Sequence, residues 1–174
     1  MQRWVSGWAI IGVAALLMQA VFRLTPHVVE VRHCDPATCS GLYWAGLGVW
    51  VVVNLYTEGY RAFHKRFIPR VVGRALELDR EPRLHVRLLA PAVAMGLVYA
   101  PRARLVVSWI FLSLLVVLVT WVRTWSIAPR AFIDAGVVLP LLWGAIGLVW
   151  QYRVRSREVD LPVTATAAPV SEKR

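Results

Sequence analysis

Four stretches of this chain carry no charged residue and are long enough to cross a lipid bilayer: residues 4–22, 36–57, 105–122 and 135–152. A hydrocarbon core of about 30 Å demands roughly 20 apolar residues in a helix. Inside it every backbone N–H and C=O must be satisfied within the segment. The sequence therefore predicts an all-α integral membrane protein, a bundle of four transmembrane helices. Composition agrees, since 58% of the 174 residues are hydrophobic, more than a soluble domain of this size usually carries. Charge marks both ends of three runs: Arg3 and Arg23, Asp35 and Glu58, Arg104 and Arg123. The fourth begins after Asp134 and ends at Arg153. Arg3 before an apolar core also resembles the start of a signal peptide, but Met18 and Ala20 do not make the small-x-small cleavage pattern. The first run is read as an uncleaved span.

Cytoplasmic loops retain Lys and Arg, and the chain has twenty of them. With the N-terminus inside, only Arg23, Arg32, Arg123 and Arg130 fall outside, and the other sixteen collect on the inner face. A five-span alternative, in which residues 84–99 also cross, evens out that asymmetry and strands His85 and Arg87 at membrane depth, where charge is costly. The expected address is thus a bacterial-type inner membrane, with both termini cytoplasmic. The formal net charge of +10 follows from this topology and from attraction to anionic lipid. Nucleic acid, the other usual partner of a basic chain, is not expected.

Residues 1–152 form the expected transmembrane domain, and residues 153–174 a disordered cytoplasmic tail mixing charge with Pro, Thr, Ala and Val. Between spans two and three lies a basic interfacial segment, residues 58–104. There Tyr60, Phe63, Phe67, Val71, Ala75 and Leu78 recur at three- and four-residue steps, with Arg61, Lys65, Arg66, Arg70 and Arg74 in other directions. This is an amphipathic cytoplasmic helix, bent at Pro69, with Glu58 paired to Arg61 one turn on. It is expected to lie on the inner leaflet with Phe63 and Phe67 in lipid and Arg66, Arg70 and Arg74 at phosphate level. Residues 84–99 are placed as a second interfacial or partly re-entrant helix, or one packed on the inner ends of the spans.

The outer loop gathers His27, Glu30, His33, Cys34, Asp35 and Cys39. Two cysteines outside the cytoplasm predict a disulfide. Asp35 before Pro36 reads as a helix cap with proline at the first helical position, which puts Cys34 and Cys39 at the two positions that meet in a hydrophobic staple. The competing use of His27, His33, Cys34 and Cys39 as ligands for a soft metal matches no closed tetrahedral spacing. In outline the chain resembles the quinone-linked disulfide oxidases of bacterial membranes, which also carry outer-face cysteines after the first of four helices. It departs from them in having one cysteine pair instead of two and four residues between its cysteines instead of two.

Within the spans, Gly41 with Ala45, and Gly136 with Pro140 and Gly144, make faces that let another helix approach closely. Gln19 is read as an interhelical hydrogen-bonding residue. Asp134, one turn after Arg130, is placed near a helix start, where ion pair and helix dipole both favour a carboxylate. No phosphate-binding glycine loop, zinc-protease motif or nucleophile elbow occurs, so no catalytic residue and no cofactor is expected. The leading expectation is a small accessory or assembly protein acting through helix–helix and lipid contacts, as a homo-oligomer or with a membrane-protein partner. Its alternatives are a redox or metal-handling protein using the outer Cys and His residues, and a small oligomeric channel or transporter.

Overall fold

The computed structural model describes residues 3–33 and 39–160, and these are helical with no strand among them. α1 spans Trp4–Glu30 and ends in a 3-10 turn, Val31–His33. α2 spans Gly41–Asn54, passes without a break into a π-helix, Leu55–Phe67, and resumes as α3, Ile68–Glu77. Two short helices follow, α4 (Leu84–Leu88) and α5 (Ala90–Met95), then α6 (Arg102–Val122) and α7 (Ile127–Asp160). Three helical stretches, Trp4–Glu30, Leu105–Val122 and Ile127–Glu158, are long and apolar enough to cross a membrane. The expected second span is divided instead: α2 has 14 residues, too few on its own, and the change to π hydrogen bonding comes at Leu55.

α1 and α7 form an antiparallel pair. At one end the Ser6 and Tyr152 hydroxyls share a 2.9 Å hydrogen bond, and Arg3 donates to the Ser156 carbonyl. At the other, Val31 packs with Ala128 and Ala131. The rod made by α2, the π-helix and α3 runs parallel to α7. Tyr43 donates to the Ala128 carbonyl at 2.7 Å, the rings of Trp50 and Phe132 lie 5.9 Å apart, and the ring of Phe63 lies over Gly144. Any side chain at Gly136 would collide with Trp50, and a Cβ at Gly144 would stand 2.7 Å from Phe63 Cδ1. Gly136, Pro140 and Gly144 thus form the contact face expected of them, and the partner is the rod.

The main core lies at the Arg3 end. Val5, Ala9, Ile10 and Val13 of α1 pack against Ile68, Val71, Val72 and Ala75 of α3, Ala90 and Ala94 of α5, and Leu148 of α7. Residues 84–95 are therefore two turns of helix packed on α1 and α3, with the Pro91 ring against Gly12 and Trp8 Nε1 donating to the Leu88 carbonyl at 3.1 Å.

Several expectations about boundaries are corrected. α2 begins at Gly41 after Ser40 and not at Pro36, so Cys39 precedes the helix and the staple geometry does not apply to it. α7 begins at Ile127, which puts Asp134 well inside the helix and away from its terminal dipole. α7 also continues through residues 153–160, part of the expected disordered tail; the rest, residues 161–174, lies outside the described residues. Pro69 does not bend a helix interior: it stands at the first turn of α3, where π hydrogen bonding gives way to α and its missing N–H costs least. Gln19 is exposed and makes no side-chain hydrogen bond among the described residues.

Candidate functional site

The π-helix is the least ordinary element of the chain. Its i→i+5 hydrogen bonding widens each turn, and such segments are rare and usually short. Here it changes which side chains share a face. The buried positions run Asn54, Gly59 and Ile68, with Phe63 half-buried between them, in steps of four and five that an α-helix would scatter around its axis. Asn54 Nδ2 donates back to the Trp50 carbonyl at 2.8 Å, and Gly59 lets the rod approach the Pro140 backbone.

The outward faces are polar. Tyr56, Tyr60 and His64 stack in sequence, with ring centroids 6.0 and 5.8 Å apart, and the Lys65 ammonium lies 4.9 Å from the Tyr60 ring centre. On a neighbouring face Thr57, Arg61, Ala62 and Arg66 line a shallow depression of about 140 Å³. Glu58 and Arg61, expected to pair, make no ion pair among the described residues, because three residues is no longer close to one turn. This polar band is level with apolar α7: Gly59 lies against Pro140 and Trp143, and His64 and Ile68 lie at Gly147. Charge therefore reaches beside the middle of an apolar run, where it is costly unless it serves contact with headgroups, water or a partner.

The side chains expected to meet lipid divide. Arg66 and Arg70 are exposed, and Arg70 Nε donates to the Arg66 carbonyl at 2.6 Å. Arg74 is half-buried and donates to the Ala94 carbonyl at 3.3 Å. Phe63 and Phe67, placed in lipid by their helical spacing, instead pack against α7 and the main core.

The outer polar residues also separate. His27 Nδ1 is 3.9 Å from Glu30. Asp134 is 6% exposed and 3.6 Å from Arg130 Nε, an ion-pair distance too long for a hydrogen bond. His33 is exposed. Cys39 is 8% exposed in an apolar cluster with Val31, Ala128 and Ala131, and it is disulfide-bonded, not a free thiol. No free cysteine and no group of three or more metal-ligating side chains occurs among the described residues; Cys34, the other half of the expected disulfide, lies outside them. The chain matches no family model, no curated protein and no solved structure.

Proposed function

We propose that this chain is a small polytopic accessory or assembly protein of a bacterial-type inner membrane, acting through helix–helix and lipid contacts. α6 carries the reading. Leu105–Val122 is the most apolar of the candidate spans, with mean hydropathy 2.6, yet Val122 is its one buried residue among those described. Near its start Trp109 Nε1 donates a hydrogen bond to the Leu97 carbonyl at 3.2 Å. α1, the α2 rod and α7 pack on one another, and no described residue of α6 belongs to the buried clusters they form. Ile110, Leu114, Val117 and Trp121 remain exposed at helical spacing, a ready seam for a helix of another membrane protein. Gly41 and Gly48 of α2, with nothing within 4 Å of their added Cβ atoms, offer a second close-approach face.

In this reading all four spans cross, the α2 rod crosses beside α7, and Cys34 and Cys39 form a structural disulfide on the outer face. Alkylation of both cysteines only after reduction tests the bridge. The function is tested by a photo-crosslinking residue at position 114 or 117 in intact membranes. A discrete protein adduct, absent with the crosslinker at buried position 72, is expected; adducts with lipid alone would refute the proposal.

A further inference from the structure

We propose that the depression lined by Thr57, Arg61, Ala62 and Arg66 is a binding site for the phosphodiester headgroup of an anionic inner-leaflet lipid. This deepens the lipid-contact half of the proposed function and rests on it. The site exists only because the segment is a π-helix. Arg61 and Arg66 are five residues apart, which in an α-helix puts them on widely separated faces, whereas i→i+5 hydrogen bonding stacks them one above the other. Both guanidinium groups are exposed, and neither makes an ion pair among the described residues. The small side chain of Ala62 leaves a floor between them, in a depression of about 140 Å³. Thr57 closes the upper edge, its hydroxyl donating to the Val53 carbonyl at 2.8 Å, so recognition falls to the arginines. Paired planar forks are the usual means of holding phosphate oxygens.

Depth argues for a lipid over a free anion. The site stands beside Pro140–Gly147 of α7, short of Arg153 where the apolar run ends, so the arginines must snorkel or draw a headgroup inward by local thinning. The stacked Tyr56 and Tyr60 rings flank it on the same helix, amphipathic side chains suited to the headgroup boundary.

The test uses the full chain in dodecyl maltoside, titrated with phosphatidylglycerol and followed by native mass spectrometry. At about 1 kcal/mol per well-placed basic side chain, R61Q/R66Q should weaken binding roughly 25-fold. A62W, which fills the floor at unchanged charge, should weaken it comparably. R80Q/R83Q, which removes equal charge elsewhere, should leave it within about twofold. Unchanged binding in R61Q/R66Q or A62W, or an equal loss in R80Q/R83Q, overturns the site. Competition by glycerol 1-phosphate at concentrations equal to the lipid overturns its assignment to lipid. Crosslinking from α6 is read separately, so failure here is distinguishable from failure of the partner proposal.

Discussion

Asp79 lies in the 3-10 turn after α3, yet its carboxylate closes the start of α1, accepting a hydrogen bond from the Ser6 backbone N–H at 2.9 Å. The first N–H groups of a helix have no partner of their own, and a carboxylate there also meets the positive end of the dipole. The cap is supplied from 73 residues away, so it ties α1 to α3 while satisfying the helix end. Asp79→Ala should cost about 1 kcal/mol, seen as a lower midpoint of thermal unfolding in detergent, and Asp79→Asn should recover part of it by keeping an acceptor. Asp134 is a different case, because it is buried beside Arg130. Removing one partner of such a pair leaves a charge uncompensated and costs about 3 kcal/mol, while replacing both with apolar residues is often neutral. Asp134→Leu alone should therefore be less stable than the double variant Arg130→Met/Asp134→Leu. A double variant as unstable as the single one would show that the pair is not what holds this region.

The meeting of α7 with the π-helix depends on glycines that accept aromatic rings. Gly144 is buried under Phe63, so Gly144→Leu forces the ring aside and should destabilise by about 1–3 kcal/mol, the usual range for overpacking. Phe63→Ala in the same chain should relieve part of that loss, and unfolding midpoints of the single and double variants measure the coupling. Much of this element was legible beforehand: Gly136, Pro140 and Gly144 were readable as one face because their spacing is that of an ordinary α-helix. The π-helix was not, since Tyr60, Phe63, Phe67 and Val71 fit an α stripe well, and the competing run Asn54, Gly59, Phe63 and Ile68 includes a glycine and an amide that no hydrophobic pattern selects. The start of α7 was missed for a related reason. Arg130 and Asp134 look like a loop's charges, but they face each other one turn apart and can be carried inside a helix. α2 was begun too early because Asp35 and Pro36 are strong cap residues, and they lie outside the described residues.

Across the whole molecule the directions of the helices constrain topology. α1 and α7 are antiparallel, with Ser6 at Tyr152, and the α2 rod follows α7 from Tyr43 at Ala128 to Ile68 at Gly147. More residues of the rod than of α7 fit into that shared length, as expected when part of the rod is wound into the wider π form. The rod thus runs beside α7 for most of its apolar length, which supports a second crossing even though α2 alone is short. With α1 rising, the rod descending, α6 rising and α7 descending, the 3-10 turn after α1 and the link from α6 to α7 share one face. Arg3, the turn at residues 81–83 and the end of α7 share the other. The proposed topology puts sixteen basic residues on that second face and reads it as the cytoplasmic one. Single cysteines introduced at positions 83 and 124, in a chain whose Cys34 and Cys39 are replaced by serine, separate the possibilities. A membrane-impermeant maleimide added to intact spheroplasts should label position 124 and spare position 83 until the membrane is opened. The reverse pattern would mean either that the molecule is inverted or that the rod does not cross and leaves the basic segment on the outer face, and a cysteine at position 2, labelled from outside only in the first case, tells these apart. Labelling of both 83 and 124 from outside would mean that α6, the span between them, does not cross.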